Sequence, residues 1–249
     1  MITRILPSEA VYQGDLILVN AHHPCRPAAQ SDLVPVAGSG ILLERRAAQA
    51  LDGLMAAIGG GWKAIVPVSG WRALAEQQAI WDGSLAENGP AFTRTYVAYP
   101  GCSEHQTGLA IDLGLNQGEI DFIRPAFPYE GICQAFRDHM AQFGFIQRYP
   151  AGKEAVTGIG HEPWHFRYVG RPHALRMAAR GLTLEEYLPW LTFFPWTAGG
   201  LRDAFGRVGF LPASPEGPTV VEMPDTGTWT LSGNNADGFL LTEWEASHG

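Results

Sequence analysis

SEHQTGLAID, from Ser103 to Asp112, combines a predicted loop with the start of a predicted strand. The residues after Gly108 are mostly apolar and predict a strand, whereas those around the glycine predict a loop. His105 and Asp112 are an odd number of positions apart, so a straight strand would point their side chains to opposite faces. If His105 lies on the loop and only Asp112 lies on the strand, the two side chains converge.

A second cluster with the same chemistry, EPWH, ends at His165. Glu162 and His165 would also diverge in a regular strand, and Pro163, which donates no ladder hydrogen bond, favours an irregular start to this one. A carboxylate among apolar neighbours, as at Asp112, is costly to bury unless a positive group meets it. The two imidazoles of His105 and His165 with this carboxylate predict a catalytic zinc site, in which three protein ligands leave one position open.

The flanking sequence predicts helices and strands in irregular alternation. Apolar spacing predicts helices over 41–58, 71–81, 129–143, 172–180 and 184–194, and strands over 11–20, 63–68, 109–115, 145–149, 164–169, 219–222, 227–231 and 238–244. Because no regular crossover repeat is present, we expect an α+β fold with a mostly antiparallel central sheet flanked by helices. The composition then changes, which predicts a catalytic domain over 1–182 and a small helix-plus-β-strand appendage over 183–249.

Composition and charge narrow the classes of function. The chain has 249 residues, 46% of them hydrophobic and 17% charged, which is a globular balance. A net charge of -8 without any basic run argues against a nucleic-acid partner. The first 20 residues contain no long apolar stretch, so we expect neither a signal peptide nor a membrane span. Three cysteines, an odd count, argue against a disulfide framework and favour the cytoplasm.

Three motifs together resemble the D-alanyl-D-alanine peptidase family of vancomycin resistance, which includes VanY-like and VanX-like enzymes. They are SGWR at 69–72, SEHQTGLAID at 103–112 and EPWH at 162–165. The order and spacing of these motifs match those of the family from about Ile65 to Val169. The resemblance is greatest to the bifunctional VanXY type, which combines dipeptidase and carboxypeptidase activities, and the segment after residue 182 is similar to its VanG-cluster version.

The resemblance implies a role for each matching residue. His105, Asp112 and His165 would bind zinc. Glu162 would be the general base, and Arg72 would face the scissile carbonyl oxygen. The residues expected to contact substrate, two of them at its terminal carboxylate, are Ser103, Gln77 and Trp164.

The expected reaction is zinc-dependent hydrolysis of the D-Ala-D-Ala bond in the dipeptide or in the cell-wall precursor pentapeptide. The partner of the chain would be a small peptide substrate ending in D-Ala-D-Ala. The sequence does not distinguish a monomer from a homodimer. One alternative keeps the zinc site but cleaves another peptidoglycan bond, as related endopeptidases do. Another is a zinc-stabilised module that binds peptides without cutting them, a role that would require neither Glu162 nor Arg72.

Overall fold

The structure is a computed structural model that describes residues 2–26, 32–223 and 225–244. Within those ranges no helix is both long and apolar enough to cross a bilayer. The chain divides into two compact units. One unit is Val19–Thr183, and the other combines Met1–Leu18 with Leu184–Gly249.

The helices and strands follow one another in the irregular order that the sequence predicts. In chain order they are β1 (Ile2–Leu6), β2 (Leu33–Pro35), β3 (Leu42–Glu44), α1 (Arg45–Ala57), α2 (Gly61–Ala64), β4 (Ile65–Ser69), α3 (Leu74–Tyr96), β5 (Ala110–Leu115), α4 (Gly131–Met140), β6 (Phe145–Tyr149), α5 (Glu154–Thr157), β7 (Glu162–Tyr168), α6 (Arg171–Arg180), α7 (Leu184–Leu191), β8 (Leu201–Asp203), β9 (Gly206–Pro212), β10 (Thr219–Met223), β11 (Thr228–Gly233) and β12 (Gly238–Trp244). Short 3-10 helices cover Ser8–Tyr12, Glu104–Thr107, Ala141–Phe143 and Trp196–Ala198.

A four-stranded sheet in the order β4-β5-β7-β6 forms the frame of the larger unit, and every neighbouring pair is antiparallel. The predicted fold class, an α+β fold with a mostly antiparallel sheet and helices, is confirmed. Ile111 and Leu113 of β5 and Phe166 of β7 are fully buried in a core that also takes in residues of α1 and α4. Since side chains alternate along a strand, Asp112 and His165 project from the face opposite this core.

Helix α1 has a well-defined start and end. The Glu44 side chain accepts hydrogen bonds from the backbone N–H groups of Arg46 and Ala47, which satisfies two donors that the first turn leaves free. The helix ends before Gly59, whose φ of +65° suits a residue without a Cβ. Its buried stripe therefore packs against the sheet and supports the strands that carry the site.

Helix α3 is longer than the sequence predicts. It continues to Tyr96 instead of ending near Trp81, with a kink at Gly89, where φ is 78° and ψ is 171°. Pro90 follows the kink, and a proline inside a helix removes a backbone donor and usually kinks or breaks the helix. A second helical segment follows the kink and brings Ala98 back to the side chain of Gln77.

The second unit is built on an antiparallel sheet in the order β11-β12-β9-β8, with β1 and β10 paired as a separate ribbon. Its core joins Leu6 and Val11 from the N-terminal segment to Trp196, Phe239 and others from the C-terminal segment. Backbone hydrogen bonds link the same two segments, for example from Asn235 N–H to the Val11 carbonyl at 2.8 Å.

Residues 1–18 therefore belong with the C-terminal unit, whereas the predicted division placed them in the catalytic domain. The predicted strand over 11–20 is wrong, because Ser8–Tyr12 is a 3-10 helix and no extended strand follows it before Asn20. β1 pairs with β10, and the paired residues are more than two hundred positions apart in the chain. A local sequence pattern does not predict such a pairing.

Candidate metal centre and active site

Two neighbouring strands place an aspartate and a histidine side by side. Asp112 of β5 and His165 of β7 are directly opposite each other in the antiparallel ladder, so their side chains share one face. His165 Nδ1 lies 3.0 Å from Asp112 Oδ1. The pairing thus brings together two of the three predicted metal ligands from segments far apart in the chain.

The third predicted ligand reaches the same point from a turn. His105 lies on the 3-10 helix before β5, and Gly108, with a φ of 73°, ends that helix and turns the chain into the strand. A Cβ at Gly108 would lie 2.8 Å from a Leu33 side-chain carbon and 3.1 Å from Glu44 N, so the close approach also favours glycine. His105 Nε2 lies 3.2 Å from Asp112 Oδ2. The predicted arrangement, with the histidine on a loop and the aspartate on a strand, matches the structure.

The two imidazoles turn different nitrogen atoms toward Asp112. His105 Nδ1 donates a hydrogen bond of 2.7 Å to the Gly70 carbonyl, because a carbonyl can only accept, and this leaves Nε2 facing Asp112. Gly70 packs so closely that a Cβ would lie 2.3 Å from the Leu42 carbonyl oxygen. His165 instead faces Asp112 through Nδ1.

The donor set fits a zinc ion. One ligand atom each from His105, Asp112 and His165 lies within 4.8 Å of the other two, and all three residues are buried. Asp112 Oδ1 is buried without a hydrogen-bond partner in the described part of the chain, although His165 Nδ1 is close. A carboxylate oxygen and two imidazole nitrogens that converge on one point are ligands that zinc prefers.

Charges at the centre compensate one another. Burial disfavours the ionised form of Asp112, but His105 and His165 outweigh it and hold the pKa of this carboxyl well below its usual range. Burial, followed by Arg72, lowers the pKa of His105 to about 4. His105 is therefore a neutral imidazole beside an ionised carboxylate, the state that a metal ligand needs. At His165 burial is outweighed by Asp112, which raises the pKa of this imidazole to about 9 in the absence of a cation, so a bound metal would displace its proton.

Glu162 stands at the start of β7, beside the cluster. Tyr149 pairs with Glu162 whereas Gln147 pairs with Phe166, so the ladder is irregular between them and β7 contributes the extra residues. This bulge brings Glu162 Oε2 within 3.5 Å of His165 Nδ1 despite their odd spacing. Burial raises the pKa of Glu162 to about 8 in the absence of a cation.

Arg72 follows β4 and reaches the same cavity. Its NH2 group lies 3.6 Å from Asp112 Oδ2, and its NH1 group donates a 3.0 Å hydrogen bond to the Gln77 side-chain oxygen. The Gln77 amide nitrogen in turn donates to the Ala98 carbonyl at 2.8 Å. The sequence did not predict this contact between Gln77 and Arg72, and the contact of Gln77 with substrate stays a prediction.

One cavity contains all the predicted site residues in its lining: Arg72, Gln77, Ser103, His105, Asp112, Glu162, Trp164 and His165. Ser103 is buried immediately before the 3-10 helix. Trp164 lines the cavity and also packs against the core cluster, so it has a structural function whether or not it contacts substrate. The roles of these side chains in binding and catalysis remain predictions.

Tyr149 and Glu104 are among the residues that line the cavity but were not predicted from sequence. Tyr149 packs its ring 4.9 Å from the His165 ring. Glu104 is completely buried between two arginines, at 2.8 Å from Arg148 Nε and 2.9 Å from Arg167 NH1. Both arginines lie on strands far along the chain, so the sequence contains no local signal for these contacts.

Comparison with known proteins identifies the family of the chain. Residues 40–171, more than half of the chain, match the family model described as "VanY: D-alanyl-D-alanine carboxypeptidase". The chain is 43% identical over 180 residues to the bifunctional D-Ala-D-Ala dipeptidase and D-Ala-D-Ala carboxypeptidase VanXYC of Enterococcus gallinarum, covering 71% of this chain and 94% of that one.

Two solved structures are similar as well. The vancomycin-resistance D,D-dipeptidase VanXYg, in complex with a D-Ala-D-Ala phosphinate analogue, is 46% identical with a TM-score of 0.94, over 98% of this chain and 99% of that one. A mutant of the D,D-pentapeptidase VanY from a VanB-type resistance cassette, in complex with Zn(II), is 33% identical with a TM-score of 0.60, over 70% of this chain and 98% of that one. With its family model, its relatives and its fold in agreement, the chain belongs to the VanY family of D-alanyl-D-alanine carboxypeptidases.

Proposed function

We propose that this chain is a zinc-dependent D,D-peptidase that hydrolyses the D-Ala-D-Ala bond of the dipeptide and of cell-wall precursor pentapeptides. The observation that carries the proposal is the group of His105, Asp112 and His165 beside Glu162, in a cavity that also holds Arg72. Removal of such termini withdraws the target of glycopeptide antibiotics. The same chemistry places the chain in peptidoglycan metabolism and vancomycin resistance, as for its relatives.

Each side chain has one task in the proposed mechanism. His105, Asp112 and His165 would hold the zinc ion, which supplies Lewis acidity and lowers the pKa of water to about 7. Glu162 takes a proton from the attacking water and passes it to the leaving amine nitrogen. Glu162 is buried next to the proposed metal ligands, so bulk water does not compete for the proton in either transfer.

Arg72 stabilises the charge that develops on the carbonyl oxygen in the tetrahedral state. Its guanidinium is fixed in advance by the Gln77 hydrogen bond, so little reorganisation is needed when the charge appears. Ser103 and Trp164 complete the substrate side of the cavity, with the Ser103 hydroxyl as a donor for the terminal carboxylate of the substrate.

Replacing Arg72 with lysine is expected to lower kcat by about 10²–10³-fold, the usual effect of removing one donor to an oxyanion. Lysine keeps the charge but loses the planar fork that Gln77 orients. Steady-state kinetics with D-Ala-D-Ala measure the change, and Arg94→Lys, at an exposed arginine of α3, is the matched control. An effect confined to KM would contradict the role in the transition state.

Removing the metal with a chelator is expected to abolish D-alanine release, and adding zinc is expected to restore it. The substrates to compare are D-Ala-D-Ala, the UDP-linked pentapeptide and a peptide with an L-Ala-D-Glu bond, with metal content measured in parallel. Cleavage of the last substrate alone would identify an endopeptidase. Hydrolysis that continues at the same rate after the metal is gone would rule out a metallopeptidase.

We propose the cytoplasm as the site of action. Cys25, Cys102 and Cys133 are all free thiols, as expected in a reducing compartment. Fractionation of cells that express the chain with its natural ends tests this, and recovery outside the cytoplasmic fraction would contradict it.

A further inference from the structure

We propose that Glu104 is a positioning residue of this centre, which holds the His165 imidazole so that Nδ1 faces the other two ligands. Glu104 would not bind the metal or touch the substrate, because its carboxylate lies beyond His165 Nε2, on the far side of the ring from Asp112. The inference rests on the proposed function, since it concerns the residue behind a zinc ligand.

The first observation is a pair of buried atoms that lack partners and face each other. Glu104 Oε2 and His165 Nε2 are both buried, and neither has a hydrogen-bond partner among the described residues. They lie 3.7 Å apart, too far for a hydrogen bond but close enough for a small rotation of the imidazole to form one. Buried polar atoms are rarely left unsatisfied, so two complementary ones at this distance indicate a bond that forms in the loaded site.

The second observation is that Glu104 is itself immobilised. Its other oxygen, Oε1, lies 2.8 Å from Arg148 Nε and 2.9 Å from Arg167 NH1, and all three side chains are fully buried. Two guanidinium groups around one carboxylate keep it ionised. An ionised carboxylate only accepts hydrogen bonds, so the partner that it faces must be the donor.

The third observation is that the ring contacts of His165 fix the orientation of its imidazole but do not determine which nitrogen carries the proton. Tyr149 packs at 4.9 Å on the ring, and His105 meets it edge-on at 5.0 Å between centroids. Neither ring contact determines whether Nδ1 or Nε2 carries the proton. Glu104 does, because a proton held on Nε2 leaves the lone pair of a neutral imidazole on Nδ1, the atom that faces Asp112.

Glu104 and His105 are neighbours in the same turn. Glu104 immediately precedes His105, so one turn of 3-10 helix supplies one metal ligand and the partner of another. The turn leads into β5, and His165 lies on β7, the strand that pairs with β5 in the sheet. The turn therefore couples the two histidine segments, and displacement of the turn would disturb both ligands at once.

The test measures zinc affinity in Glu104→Gln and Glu104→Asp by competition with a chromophoric chelator. Aspartate keeps the charge between the arginines but withdraws it from His165, which protects the fold. We expect about 10–100-fold weaker zinc binding in either variant, as for other partners of ligating histidines. Cys133→Ala, which changes a buried residue of α4 away from the centre, is the control for general destabilisation, and its zinc affinity should equal that of the unmodified protein.

A second measurement does not depend on a variant that folds. In the unmodified zinc-loaded protein labelled with 15N-histidine, magnetic resonance should show the metal on Nδ1 of His165 and a slowly exchanging proton on Nε2. Metal on Nε2, or zinc affinity in the Glu104 variants within about threefold of the unmodified protein, would overturn the positioning role. Failure of the unmodified protein to bind zinc would instead refute the proposed function, so the two failures are distinguishable.

Discussion

Replacing Glu162 with glutamine is expected to lower kcat by about 10²–10⁴-fold while the zinc content stays at one ion per chain. Glutamine has nearly the same shape, but its amide does not accept a proton from the attacking water or return one to the leaving amine. Glu162 lies 3.5 Å from a ligand nitrogen and is not one of the three proposed ligands, so the centre should still assemble. Glu162→Ala should give the same loss with a small cavity at the position.

The measurement combines D-alanine release under saturating substrate with metal analysis of the same sample. Glu87→Gln, at an exposed glutamate of α3, is the matched control and should leave both values unchanged. Near-normal turnover in Glu162→Gln would remove the proposed base. Loss of zinc together with turnover would show that Glu162 holds the metal and would also contradict the assignment.

The convergence of the three proposed ligands could be predicted in part from the sequence, because His105 and Asp112 are close together in the chain. His105 and Asp112 lie within one motif, and a loop that ends at Gly108 is enough to make them converge. The apolar neighbours of Asp112 indicate a buried carboxylate, which requires a positive partner. His165 was predicted as a ligand from its residue type and from the family motif. Only the pairing of β5 with β7 sets its distance from Asp112.

What the sequence could not predict depends on pairings between distant segments. The bulge that aims Glu162 arises from the register of β6 against β7, and Pro163 indicated only that the strand starts irregularly. The contacts of Glu104 require Arg148 and Arg167 to face inward, which is unusual for arginine and has no local signature. The N-terminal segment likewise joined the C-terminal unit through tertiary contacts that override its local pattern.

Replacing Asp112 with asparagine is expected to remove the metal, and with it the activity. The carboxylate is the only charged group of the proposed ligand set, and both histidines point a nitrogen at it within 3.2 Å. Loss of an outer partner of a zinc ligand costs about 10–100-fold in affinity, and loss of a ligand with its charge should cost more. Zinc affinity by chelator competition and D-alanine release at saturating zinc measure the two effects.

A binding ligand also stabilises the folded state by mass action, so zinc should raise the melting temperature of the unmodified protein but not that of Asp112→Asn. This readout separates lost binding from lost folding, since both proteins are compared with themselves without metal. Asp82→Asn, at an exposed aspartate of α3 that accepts a hydrogen bond from Gln78, is the control and should keep the full zinc-dependent shift. If Asp112→Asn binds zinc as tightly as the control and releases D-alanine at a comparable rate, the ion is held elsewhere and the proposed centre is refuted.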